Sequence, residues 1–169
     1  MKNILCGSKC VLWILNDLNI KNNNINKELF FITEIANELK NNNLDIELLC
    51  YNSNLYTDYK LNKLPIKEAV ESIKEYEEYK SIKEVKLTEK TLLNELKNNY
   101  LILNVDSRII NNTTSNSGHY VVALLEENNI KIINPEKTRY VEKTYQPKEI
   151  IDMCKTCGNW RIQIRRKHD

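Results

Sequence analysis

Cys6 stands in the run Cys6-Gly7-Ser8-Lys9-Cys10-Val11-Leu12, and more than a hundred residues later come Gly118-His119-Tyr120-Val121-Val122 and then Asn134-Pro135. A thiol, an imidazole and a carboxamide in that chain order are the parts of a cysteine nucleophile, its base and the group that orients the base. The thiolate is the form that attacks a carbonyl, so such a cysteine needs a nearby cation or a helix start to bring its pKa below about 8.5. Val11, Leu12, Ile14, Leu15 and Leu18 recur at helical spacing, which places Cys6 in the first turn of a core-facing helix, with Cys10 on the stripe of Ile14 and Leu18. Gly7 is expected to leave room for a substrate backbone, and the N–H groups of that turn to point at a developing oxyanion. A free cysteine by itself is more often a small buried hydrophobe. The adjacent glycine and the later histidine weigh against that plainer role here.

His119 is one of two histidines, and the other, His168, lies in a charged C-terminal tail, so an imidazole base falls to His119. Side-chain parity then relates it to Asn134. If the loop between the two strands holds an even number of residues, around Glu127-Asn128, His119, Val121, Ala123 and Leu125 share a face with Ile130, Ile132 and Asn134. A three-residue loop would turn Asn134 to the other side. On the even register Asn134 is expected to accept the Nδ1–H of His119, leaving Nε2 toward the sulfur. Pro135 cannot donate to a ladder, so it is expected to end the strand and leave the amide at a sheet edge.

The elements that must carry these residues change period along the chain. Helices are expected from Lys27 to Lys40, from Pro65 through Ile66, Ala69, Val70 and Ile73, and from a Thr88 cap to about Asn98, with a short strand from Leu44 to Tyr51 among them. Tyr100 to Asp106, His119 to Glu126 and Ile130 to Asn134 read as adjacent antiparallel strands. Pro147 opens a last helix through Cys154, Gly158 closes it, and Trp160, Ile162 and Ile164 alternate in a final strand. The expected class is α+β, with N-terminal helices packed on a C-terminal antiparallel sheet, in one domain over residues 1–169. The net charge of +2 is scattered, which does not imply a nucleic-acid partner. No apolar run is long enough to span a bilayer, and five cysteines without a secretory segment point to free thiols in the cytoplasm.

The helix-opening Cys-Gly-x-x-Cys-Val-Leu, the strand Tyr-Leu-Ile-Leu-Asn-Val, Ser-Gly-His-Tyr-Val-Val and Ile-Lys-Ile-Ile-Asn-Pro together resemble the double-glycine leader peptidases, a family of papain-like cysteine peptidases. The resemblance covers Cys6 to about Leu18 and Tyr100 to Pro135, and leaves the stretch from Ile20 to Thr88 unmatched. It implies a papain-like fold that cleaves peptide or amide bonds without cofactor or metal, with Cys6 as nucleophile, His119 as base and acid, and Asn134 orienting the ring. Family members more often carry Asp before that proline. The family also places a glutamine several residues before the nucleophile to complete the oxyanion hole. Here the chain begins too close to Cys6 to hold it, and Asn3 is the nearby substitute. Loss of one such donor costs about 10²- to 10³-fold in rate.

Other assignments compete for the same residues. A catalytically weak or inactive peptide-binding module of the same fold would account for the missing glutamine. Cys6 and Cys10 with Cys154 and Cys157 would supply four thiolates for zinc, although the first pair is already explained by nucleophile and core. Tyr51, Tyr56, Tyr59, Tyr76 and Tyr79 could line a substrate groove or be half-buried surface residues. Arg161, Arg165, Arg166 and Lys167 read as a solvated terminal strand with a frayed end, or as an attraction for an acidic partner. Cleavage, deamidation and acyl transfer share one acyl-enzyme and are not separated by sequence.

Overall fold

The computed structural model describes residues 4–21, 24–51, 66–79, 82–114 and 117–166. These form an α+β architecture around one mixed seven-stranded sheet. In chain order the strands are β1 (Ile46–Cys50), β2 (Ile82–Glu84), β3 (Asn99–Asp106), β4 (Gly118–Glu126), β5 (Asn129–Pro135), β6 (Tyr140–Tyr145) and β7 (Arg161–Arg165). The helices are α1 (Cys6–Asp17), α2 (Ile32–Asn41), α3 (Ile66–Tyr79), α4 (Glu89–Leu96), the short α5 (Ser107–Ile110) and α6 (Pro147–Cys154), which runs into a 3-10 turn at Lys155–Cys157.

The sheet order β2-β1-β7-β3-β4-β5-β6 departs from the expected C-terminal antiparallel sheet in two ways. Strands from the N-terminal half build one wing, and β1 pairs with β2 in parallel. Helices also cover both faces. Even-numbered residues of β3 and β4, Tyr100, Ile102, Tyr120 and Val122, pack with α1, α2 and α3. Their odd-numbered neighbours Leu101, Leu103, Val121 and Ala123 pack with α4 and α6. This is the period-two alternation of strands buried on both sides, which is why these runs read as almost continuously apolar.

Several element ends follow from local chemistry. Thr88 caps α4 by accepting the Thr91 N–H, and Gln146 opens α6 through the Glu149 carboxylate. The helix expected from Lys27 begins only at Ile32. The Glu34 carboxylate accepts the Phe30 and Phe31 N–H groups and so fixes the helix start there, leaving the segment before it free to dock on α1. Of the six non-glycine residues with positive φ among those described, five are asparagines: Asn19, Asn43, Asn98, Asn112 and Asn159. Four of them lie one to three residues beyond α1, α2, α4 and α5, where a chain with only three glycines uses Asn for the left-handed position.

β7 is not a frayed terminal strand. It lies between β1 and β3, and Arg161 is fully buried, with both guanidinium edges engaged: Nε and Nη2 donate to the Glu95 carboxylate at 2.6 and 2.7 Å and Nη1 to the Asn159 carbonyl. Arg165 is exposed near Asp45, Arg166 lies over the Tyr100 ring, and Lys167 falls outside the described residues. The strand β6 was not expected from its polar, mostly exposed sequence, and it pairs with β5 through Pro135 opposite Tyr140. Asn134 is therefore flanked by a neighbouring strand and not left at a sheet edge.

Candidate active site

The β4–β5 hairpin closes through the two-residue turn Glu127-Asn128, with Glu127 at φ 58° and Glu126 opposite Asn129. The even register therefore holds, and His119 and Asn134 lie on one face. The ladder between these strands stops at Val122 opposite Ile133. Beyond it β4 runs back to Gly118 against β3, while β5 runs on to Pro135 against β6, so the two strands part where His119 and Asn134 sit. The first turn of α1 bridges this opening. Its Lys9 ammonium donates to the Glu136 and Lys137 carbonyls, and the Tyr140 hydroxyl donates to the Lys9 carbonyl at 2.9 Å. On its other side the Cys6 sulfur accepts the N–H of Tyr120 on β4.

This arrangement brings Cys6, His119 and Asn134 together. The His119 ring stands close enough to the Cys6 sulfur for each to shift the other's ionisation, and its Nε2 lies 2.6 Å from Asn134 Oδ1. An amide oxygen can only accept, so Nε2 carries the proton and Nδ1 faces the sulfur. The expected assignment of the two ring nitrogens is thus reversed. The parting of β4 and β5 presents the far edge of the ring to Asn134 and the near edge to the helix.

Charge at the site follows from these contacts. Burial acts most strongly on Cys6 and opposes its ionisation, yet the His119 hydrogen bond and charge with the Tyr120 and Gly7 N–H groups outweigh it and hold the thiol below its ordinary value. Burial likewise opposes the imidazolium, and is outweighed by the bond to Cys6, its charge and the bond to Asn134, so His119 titrates above its ordinary value despite the Lys9 charge nearby. Opposite shifts on a close pair favour thiolate and imidazolium together. The other thiols differ. Cys10 is fully buried and pushed well above its usual value by burial and then by Cys6, and burial pushes Cys154 up to about 12.

Cys6 lies between two hollows. A cleft of about 690 Å³ runs from Cys6 and His119 along β5 and β6 past Asn134, Lys143 and Tyr145, with Asn111 also in its lining. A smaller hollow of about 180 Å³ lies on the other side of Cys6, between Phe30, Leu29, Ser117, Gly118 and Tyr120.

Gly7 has a different role from the one expected. A Cβ there would stand 2.6 Å from Ile35 Cδ1 and 2.9 Å from the Leu29 carbonyl oxygen, so the missing side chain makes room for the segment before α2, not for a ligand. Leu5 N–H donates to the Lys27 carbonyl and Leu29 N–H to Ser8 Oγ, which seals that segment to the helix start. Asn3 and His168 lie outside the described residues, as do Tyr56 and Tyr59. Tyr51 is exposed beneath Lys86 and Tyr76 is buried in the core, so neither lines the cleft. Tyr145 and Tyr120 line the hollows instead, and Asn111, Lys9 and Phe30 complete the site; Tyr120 and Lys9 adjoin the motif residues, whereas nothing in the spacing of Asn111 or Phe30 marks them.

Cys10 and Cys154 pack in cores on opposite sides of the sheet, so the thiols do not converge as a four-sulfur set. Among the described residues no group of three or more His, Cys, Asp and Glu side chains is placed to hold a metal ion. No helix among them is long and apolar enough to cross a membrane. No family model matches the chain, and no curated protein or solved structure matches it either.

Proposed function

We propose that the chain is a papain-like cysteine peptidase or amide hydrolase, related to the double-glycine leader peptidases, acting on a peptide or protein in the cytoplasm. The observation that carries this is the meeting of Cys6, His119 and Asn134 at a helix start open to a cleft, with Cys6 and His119 shifting each other's ionisation and the ring bonded to the Asn134 oxygen. The five free thiols fit a reducing compartment.

In this mechanism a peptide lies across both hollows with its scissile carbonyl at Cys6. The Cys6 thiolate attacks the carbonyl carbon, and the negative charge moves to its oxygen, facing the first-turn N–H groups of α1. As the tetrahedral intermediate collapses, the C–N bond breaks and the imidazolium of His119 gives its Nδ1 proton to the departing amine. Neutral His119 then takes a proton from water, whose oxygen attacks the thioester. The carboxylic acid leaves and the thiolate and imidazolium are restored. Asn134 accepts from Nε2–H throughout and keeps the ring in place. An amine in place of that water would give acyl transfer from the same intermediate.

Iodoacetamide labelling at neutral pH tests the site. Cys6 is expected to be alkylated well ahead of Cys10, Cys50, Cys154 and Cys157, and His119→Ala to slow it; equal rates at all five would overturn the proposal. Peptide-library digestion followed by mass spectrometry tests turnover. Products that depend on Cys6 support hydrolysis, whereas a reactive Cys6 with no product beyond that of Cys6→Ser leaves the peptide-binding module.

A further inference from the structure

The hydrogen-bonded series does not end at Asn134. Its Nδ2 donates to the side-chain oxygen of Asn111 at 2.9 Å, and both residues line the cleft. Asn111 follows α5, and that short turn is fastened on several sides. Its Asn111 N–H donates to the Ser107 carbonyl; Ser107 bonds the Ser117 carbonyl through both N–H and Oγ. Asp106, at the end of β3, accepts from the Arg108 N–H and guanidinium and from Thr156 Oγ1. The backbone that presents Asn111 is thus anchored to β3, to the start of β4 and to the turn after α6.

An asparagine beside a catalytic ring has a weakness that an aspartate lacks, because its two ends are nearly the same shape and opposite in hydrogen bonding. With Oδ1 toward Nε2, Asn134 suits the imidazolium, whose two N–H groups then meet an oxygen and the sulfur. Turned over, it would set Nδ2–H against Nε2–H, and the ring could not hold both protons. We propose that Asn111 is a positioning residue that keeps Asn134 in the accepting orientation, by pairing its side-chain oxygen with Asn134 Nδ2. This rests on the cysteine–histidine reading of the site and adds to it a residue hydrogen-bonded to Asn134 and to neither the sulfur nor the imidazole.

The test measures the alkylation rate of Cys6 by iodoacetamide across pH, in the full chain, with thermal unfolding recorded for every variant. At about pH 6, where an ordinary thiol is almost wholly protonated, reactivity reports the ion pair with His119. Asn111→Ala is expected to lower that rate about tenfold, the effect of one lost hydrogen bond on an orientation equilibrium, and to move the profile to higher pH. Asn111→Asp can only accept, so it is expected to keep the rate at or above that of the unaltered protein. In an Asn134→Asp background the carboxylate accepts from Nε2 either way round, so adding Asn111→Ala is expected to change the rate less than about twofold. The inference is overturned if Asn111→Ala stays within twofold of the unaltered protein, if Asn111→Asp loses as much as Asn111→Ala, or if the loss is equal in both backgrounds. His119→Ala separates the two levels. Without an effect of His119→Ala on the low-pH rate, the cysteine–histidine reading falls and this inference with it; with that effect intact, a silent Asn111→Ala overturns the inference alone.

Discussion

Gly7→Ala distinguishes a glycine kept for ligand access from one kept for packing. The added methyl would lie 2.6 Å from Ile35 Cδ1, 3.0 Å from Ile35 Cγ1 and 2.9 Å from the Leu29 carbonyl oxygen, all inside normal contact. Ile35 is fully buried and Leu29 nearly so, and the Leu29 N–H is held by Ser8 Oγ, so neither obstacle retreats freely. Overpacking of this kind costs about 1–3 kcal/mol, and replacing glycine in a helix returns at most about 1 kcal/mol. The net expectation is a destabilisation of about 1–2 kcal/mol, or a fall in Tm of about 2–8 °C for a chain of this length, measured by thermal and urea unfolding. Ile35→Val removes the atom nearest the new methyl at a cost of about 0.5–1.5 kcal/mol by itself. Combined with Gly7→Ala it should cost less than the sum of the two, by about 0.5–1 kcal/mol, because they share a contact. Cys6 reactivity should fall with stability, since the displaced segment also forms the smaller hollow. A Gly7→Ala protein as stable as the original, with only peptide turnover impaired, would refute the packing argument and restore glycine's role in ligand access.

Glu95→Ala strands the buried Arg161 guanidinium and is expected to cost about 3–5 kcal/mol in urea unfolding, whereas Glu95→Leu with Arg161→Met should recover most of it; a loss under about 1 kcal/mol would mean the pair behaves like an exposed one. Arg108 and its hydrogen bonds hold the Asp106 carboxyl down at about 2, from an ordinary 3.8. Because that folded-state pKa is depressed, the stability it contributes is full above about pH 4 and is lost as pH falls through about 2. Asp106→Asn should therefore cost about 1–2 kcal/mol near neutrality, discounted for the partly exposed Arg108, and almost nothing at the acid end; a cost that does not change with pH refutes the ionic account. For peptide hydrolysis, kcat/KM should rise as pH passes the lowered Cys6 value and fall as it passes the raised His119 value, giving a bell. Lys9→Met removes a charge that disfavours the imidazolium, so the alkaline limb should move to higher pH; a move to lower pH would contradict it.

Much of the site was legible in the chain because it depends on local periods. Helical spacing from Val11 to Leu18 sets Cys6 at a helix start, and strand alternation with an even turn sets His119 and Asn134 on one face. What local period does not carry is the direction in which a finished edge faces. The register alone is indifferent to which ring nitrogen meets Asn134, and that was settled by β4 and β5 parting beyond Val122 and Ile133, with α1 bridging the gap. Asn111 is similarly silent in sequence, since its partner lies 23 residues away and its neighbours read as an ordinary polar loop.

The α+β class, the Thr88 cap and the start of the last helix at Pro147 follow from residue types at short separation, where apolar period and capping chemistry act directly. Arg161, Gly7 and β6 required the assembled fold. A guanidinium in a short C-terminal strand looks solvated until Glu95 from another helix meets it, and a glycine beside a candidate nucleophile looks functional until Leu29 and Ile35 fill the space above it. A polar run such as Tyr140 to Tyr145 looks like a loop until β5 supplies its ladder. In each case the deciding partner is distant in sequence, so the free energy that fixes the role exists only once the chain has brought the two together.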